Sequence, residues 1–109
     1  MPTPRPGRRV RGSTSGRPIM ALLDLLGRRG ALRVLWELRD GSLRFRALQA
    51  AAALSPSVLN TRLAELRDTG IADHDAGGYS LTPAGRALLA HLAPLHRWSE
   101  AWARREKER

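Results

Sequence analysis

The chain has 109 residues, no cysteine and a formal net charge of +9, which is the size of one domain. Without thiols there can be no disulfide, thiolate metal site or cysteine-based redox sensor. No apolar run approaches the roughly 18 residues of a membrane span, and the N-terminus lacks the continuous apolar stretch of a secretory signal, so a soluble, cytoplasmic protein is expected. The basic balance, 19 Lys and Arg against 10 Asp and Glu, suits a polyanionic partner, although self-repulsion that keeps a protein soluble accounts for such charge equally well.

Residues 1–17 hold Arg5, Arg8, Arg9, Arg11 and Arg17 and no acid, with Pro2, Pro4, Pro6, Gly7, Gly12 and Gly16 between them. Val10 is the single large apolar side chain after Met1. Such a stretch buries too little to offset its ordering entropy, so it reads as a flexible basic arm ahead of a domain at 18–109. Pro18 suits a first helical turn, and Ile19, Leu22, Leu23 and Leu26 share one face before Gly27. A second helix is expected from about Arg29 to Asp40, carrying Leu32, Leu35, Trp36 and Leu38, and Gly41 stops it. A third, from about Arg44 to Ala52, carries Phe45, Leu48 and Ala51.

The fourth helix has the clearest start. Ser55 can cap free backbone N–H groups, and Pro56 occupies the first helical position, where its missing N–H costs nothing. Leu59, Leu63 and Leu66 then recur as one inward stripe, and Gly70 ends the element. Ile71–His74, a turn at Ala76-Gly77-Gly78, and Tyr79–Leu81 read as a short hairpin, to which residues around Ser42 could add a third strand. Thr82-Pro83 repeats the cap-plus-proline start for a helix through Leu88, Leu89 and Leu92, which Pro94 breaks or restarts. A last helix from about Leu95 to Arg105 aligns Leu95, Trp98 and Trp102.

Two helices joined by a tight turn, the second opening with small polar residues, describe a helix-turn-helix. The third helix is then the support and Ser55–Asp68 the reader. Burial of the leucines turns Ser57, Asn60, Thr61 and Ala64 outward. Asn60 can pair with both polar atoms of an adenine edge, Ser57 and Thr61 can bond a base or a phosphate, and Ser57 and Ala64 are small enough for close approach. Arg62 and Arg67, with Arg44 and Arg46 on the supporting helix, suit phosphates, and the helix start at Ser55 is itself an anion site. The plainer reading is an ordinary solvated face in a small helical bundle.

The runs Leu26-Gly27-Arg28-Arg29 through Leu35, Glu37-Leu38, Asp40-Gly41, Arg44-Phe45, Leu54-Ser55-Pro56, Leu59, Arg62-Leu63, Glu65-Leu66, Gly70-Ile71 and Tyr79-Ser80-Leu81-Thr82-Pro83 with Gly85-Arg86 resemble the HxlR-type, MarR-like winged helix regulators of bacteria. The resemblance covers about residues 18–103. It implies a mainly α fold with a small β-hairpin wing, a winged helix-turn-helix, in which the helix matching Ser55–Asp68 enters the major groove. It also implies that terminal helices build a homodimer. The sequence departs from the family pattern in three places. Gly30 stands where tryptophan is usual, the family's N-terminal cysteine is absent, and Asp73 and Asp75 put negative charge on a wing where relatives often carry arginine.

Arg8, Arg9 and Arg11 could replace that wing by lying along a minor groove, or could be a solvated tail that raises nonspecific affinity. Trp98 and Trp102 could close the monomer's own core. Alternatively, with Leu95 and the first-helix residues Ile19, Leu22, Leu23 and Leu26, they could form a dimer interface that places two readers about one DNA turn apart.

No catalytic site is expected. His91 and His96 are five apart, off a common helical face, so no metal site follows. Gly77-Gly78 lacks the Lys-Ser/Thr of a phosphate loop, and nothing desolvates Asp73 and Asp75 for acid–base work. The expectation is a sequence-specific regulator, not an enzyme, that binds double-stranded DNA as a homodimer and requires no cofactor. A small-molecule effector could sit among Trp36, Trp98 and Trp102. The alternative is a winged-helix docking module, which would expose apolar residues on the reader.

Overall fold

A computed structural model describes residues 3–8 and 16–109. The elements are α1 (Pro18–Leu26), α2 (Ala31–Glu37), α3 (Phe45–Ala52), α4 (Pro56–Asp68), β1 (Ala72–Asp75), β2 (Gly78–Leu81) and α5 (Pro83–Lys107). Proline opens α1, α4 and α5. At the latter two the cap is also made: Ser55 Oγ accepts from the Val58 N–H at 3.2 Å, and Thr82 Oγ1 from the Gly85 N–H at 3.0 Å. Each such cap stabilises its helix by about 1 kcal/mol.

The second helix is shorter at both ends than its apolar pattern predicts. Gly30 has φ +83°, outside the helical region, so the helix starts only at Ala31. Leu38 leaves helical geometry at φ −90°, ψ 6°, and Arg39 and Asp40 belong to the following turn. Gly30 also has a packing role. A Cβ there would stand 2.6 and 2.8 Å from the two terminal methyls of Leu54, so Leu54 packs where a side chain would be.

The core is Leu25, Leu26, Val34, Leu35, Leu38, Leu48, Leu59, Leu63, Leu66, Ile71, Ala72 and Leu81. Leu26 therefore belongs to the monomer's interior and not to an outer seam. Leu22 is half-buried against the same cluster. Burying this many leucine-sized side chains, at about 1.5–3 kcal/mol each, is the main force assembling the helices on the hairpin.

The hairpin is antiparallel with Ala72 opposite Leu81, His74 opposite Tyr79 and Asp75 opposite Gly78. Asp75 Oδ1 accepts from the Gly77 N–H at 2.8 Å and fastens the turn. The expected third strand is a single bridge: Leu43 and Tyr79 exchange both backbone hydrogen bonds, at 2.9 and 2.8 Å. His74 stacks on Tyr79 with ring centres 4.3 Å apart.

Pro94 does not end the last helix, which runs unbroken for 25 residues. An internal proline removes one hydrogen bond and strips the carbonyl four residues earlier of its donor. Here Pro94 and Ala90 are both exposed, so the proline lies on the solvent side of the helix, where water can take the place of the lost donor and the helix can continue. Its first half, through Leu88, Leu89 and Leu92, packs on the core. Its second half leaves Leu95, Trp98 and Trp102 exposed.

The N-terminal segment lies partly outside the described residues, Arg9 and Arg11 among the omitted. Residues 3–8 are docked on the domain instead of standing free. Pro4 is buried, Arg5 pairs with the Asp68 carboxylate, the Gly7 N–H donates to Gly16 O at 2.8 Å, and Arg8 is exposed.

Candidate nucleic-acid interface

Helix α4 has two opposed faces. Leu59, Leu63 and Leu66 are all at most 1% exposed, whereas Ser55, Ser57, Asn60, Thr61 and Ala64 face solvent. The ladder spacing causes this: residues three and four apart share a face, so fixing the leucines inward fixes the polar set outward. α3 lies before it across the turn Ala53-Leu54, with Ala53 in the left-handed region at φ 54°. Arg44 and Arg46 are exposed at the start of α3, and Arg67 is exposed in the last turn of α4.

Local hydrogen bonds limit what the polar edge can offer. Thr61 Oγ1 donates to Ser57 O at 3.0 Å, so its proton is already used. It presents lone pairs and a methyl group, the latter suited to apolar contact with a thymine methyl. Ser55 uses a lone pair in capping and lies 3.5 Å from Ser57 Oγ. Asn60 has no protein partner among the described hydrogen bonds, which leaves both its donor and its acceptor for a base edge.

Arg62 is not available for phosphate contact as the sequence suggests. Its side chain is 15% exposed, its Nε lies 2.9 Å from Glu65 Oε1, and its Nη1 donates to Arg29 O at 3.4 Å. The Nε–Oε1 contact is an ion pair without good hydrogen-bond alignment. Glu65 itself is buried and also takes Arg28 Nη1 on Oε2, while Arg28 reaches Asp24 Oδ2 at 3.9 Å. Asp24, Arg28, Glu65 and Arg62 thus form a nearly closed ionic chain from α1 to α4. Periodicity alone did not reveal it. The available signals were the Asp24/Arg28 spacing of four and the Arg62/Glu65 spacing of three, both pairing distances on a helix.

Two further arginines were not anticipated. Arg29 and Arg33 are exposed, and both border a concavity of about 230 Å3 beside Ser55 and Val58. The wing, by contrast, shows exposed Asp73 and Asp75.

Away from α4, Ile19, Leu23, Leu95, Trp98 and Trp102 are each about half exposed. Trp98 and Trp102 stack with centres 6.1 Å apart, and Arg105 lies over Trp98 at 5.7 Å. An apolar groove of about 340 Å3 opens between α2 and α5, with Leu32, Trp36, Leu92 and His96 on its walls. Of the three tryptophans considered for an effector pocket, Trp36 alone lines it, stacked on His96 and covered by Arg39. Among the described residues no cluster of His, Asp or Glu could hold a metal ion, and no helix is long and apolar enough to cross a membrane.

Residues 25–107 match the family model described as HxlR-like helix-turn-helix. The HTH-type transcriptional regulator YvaP of Bacillus subtilis is 34% identical over 88 residues, covering 73% of this chain and 82% of that protein. Quinone-bound YodB from B. subtilis superposes with a TM-score of 0.72 at 28% identity, covering 76% of this chain and 96% of that one. A MarR family regulator from Enterococcus faecalis gives 0.74 at 25% identity, over 93% and 99%. With a winged helix-turn-helix in place and an exposed polar edge on its second helix, the chain belongs to the HxlR-like helix-turn-helix family of DNA-binding transcriptional regulators.

Proposed function

We propose that the protein reads an operator as a homodimer, each copy laying the N-terminal half of α4 in a major groove. The observation that carries this reading is the solvent-facing edge of Ser57, Asn60, Thr61 and Ala64 opposite three fully buried leucines. Asn60 reads adenine, Thr61 offers its methyl and lone pairs, Ser55 and Ser57 bond backbone or base, and Arg44, Arg46 and Arg67 take phosphates. A docking module would need large apolar side chains on this edge, and it has none.

The test uses a duplex obtained by in vitro selection on the wild-type protein, with random duplex as competitor at physiological salt. Asn60→Ala should weaken cognate binding by about 1–3 kcal/mol and relax the choice at one base pair. Equal loss on cognate and random duplex would remove Asn60 from base reading.

The exposed stripes of α1 (Ile19, Leu23) and α5 (Leu95, Trp98, Trp102) are the dimer seam in this reading, since aromatic side chains at contact surfaces bury the most area. Trp98→Glu should leave the monomer folded, because the ring is half exposed, and should shift the sedimentation coefficient to that of one chain. Its affinity for a two-half-site duplex should fall to that for a single half-site. A variant that still sediments as a dimer would place the seam elsewhere.

A further inference from the structure

The ionic chain between α1 and α4 changes which cations are free near the reading edge. Arg28 and Arg62 face Asp24 and Glu65 in the interior. Arg29 and Arg33 have no carboxylate within ion-pair distance among the described residues, and both are exposed. They stand on either side of left-handed Gly30, in the segment that runs past the N-terminal half of α4.

Arg29 borders two concavities at once. One, of about 350 Å3, it shares with Thr61 and Arg62, and the other, of about 230 Å3, with Arg33, Ser55 and Val58. Arg29 therefore lies beside the stretch of α4 between the capping Ser55 and Thr61. Arg33 is held in place: its Nη1 donates to Ala52 O at 3.1 Å, at the end of the supporting helix, and its other N–H donors have no partner among the described residues. Two carboxylates, Asp24 and Glu65, line the larger concavity, but both are buried and paired with Arg28 and Arg62, so their charge is compensated before any anion approaches.

We propose that Arg29 and Arg33 form a clamp for the DNA backbone, each taking one phosphodiester of the strand that borders the groove read by α4. This rests on the reading of α4 given above and adds the site that fixes its register. The guanidinium fork matches two phosphate oxygens, and an arginine already braced on one side loses less freedom when it binds. Because phosphate contacts position without specifying sequence, the clamp acts alike on operator and random duplex.

The salt dependence of affinity tests it. Binding of wild type, Arg29→Ala, Arg33→Ala and the double variant to selected and random duplexes is followed by fluorescence anisotropy from about 50 to 200 mM salt. Each lost phosphate contact should reduce the slope of log K against log salt by about 0.9. The double variant should lose about twice that, with the ratio of selected to random affinity unchanged. Arg33→Lys keeps the charge and should keep the slope. Arg104→Ala, at the far end of α5, removes the same charge and should also leave it unchanged. Thermal unfolding of each variant separates folding loss from binding loss, and Arg29→Ala, whose side chain braces nothing, carries the test if Arg33→Ala unfolds. Slopes for the folded variants equal to wild type would overturn the clamp. So would a drop of the same size in Arg104→Ala. A wild-type protein that shows no preference for any duplex would sink the reading of α4 instead, a result visible before any clamp variant is made.

Discussion

Glu65→Ala is expected to lower the free energy of unfolding by about 3–5 kcal/mol, the usual cost of breaking a buried ion pair by removing one member. Glu65 touches both Arg28 and Arg62, and its side chain is 7% exposed. Once it is removed, Arg28, itself 9% exposed at the side chain, keeps Asp24 at 3.9 Å as its described carboxylate. Arg62 can swing toward solvent, but Arg28 cannot, because its surroundings close over it. Against a total stability of about 5–15 kcal/mol for a domain, the loss would be plain as a shift in urea midpoint at unchanged m-value.

The same reasoning gives a contrasting outcome for a paired change. Arg28→Met with Glu65→Met removes the two charges of the closest pair and keeps apolar volume, a replacement that is often neutral or stabilising. Because Asp24 and Arg62 each give up a contact, the double variant should fall between wild type and Glu65→Ala. A double variant clearly more stable than Glu65→Ala would identify the pair as a device that orients α4 on α1. If Glu65→Ala cost less than about 1 kcal/mol, the network would be no more than a surface ion pair in effect, and the orientation of the reading helix would rest on its leucines alone.

What the sequence makes legible and what it hides divide along a physical line. The leucine ladder of α4, the Ser55-Pro56 and Thr82-Pro83 starts and the hairpin are local signals. They depend on residues within one or two turns, and they appear in the structure where the pattern places them. The failures concern what happens between segments. Pro94 reads as a break because a proline removes a helical bond, but whether that bond matters depends on solvent reaching Ala90, a fact of the tertiary surface. Arg62 reads as a phosphate ligand because it flanks the reading face; its spacing from Glu65 permits a pair within the helix, but that the α1–α2 connection closes over both, with Arg29 O accepting from Arg62, is a tertiary fact. Leu26 shares a stripe with Ile19 and Leu23, yet it sits one turn deeper, where the core begins. Arg29 and Arg33 are hidden for the same reason: nothing in the sequence shows that the segment around Gly30 runs alongside the capping serine.

Gly85→Ala sets two principles against each other and should decide between them. Position 85 lies in the first turn of α5, where alanine is the better helix former by about 1 kcal/mol, so propensity alone predicts a more stable protein. Packing predicts the opposite. A methyl group at Gly85 would fall far inside the van der Waals distance of the Ile71 carbonyl oxygen and 3.1 Å from its carbon. That carbonyl is not free to withdraw. It accepts from the Thr82 N–H at 3.0 Å and lies 3.1 Å from Thr82 Oγ1, the same hydroxyl that caps α5 through Gly85 N–H. Moving Ile71 away therefore disturbs the junction of α4, the hairpin and α5 together. Overpacking costs about 1–3 kcal/mol and more where backbone must shift, and each weakened hydrogen bond adds about 1 kcal/mol. The expected net loss is about 3 kcal/mol after the gain in propensity. For a domain of this size that lowers the thermal midpoint by more than about 10 °C. Because the hairpin is anchored at this junction, the variant should also lose the protection of the Thr82 amide against hydrogen exchange. A Gly85→Ala protein that melts above wild type would show that Ile71 yields freely, and the wing would then be a loosely held appendage and not a fixed part of the DNA-binding head.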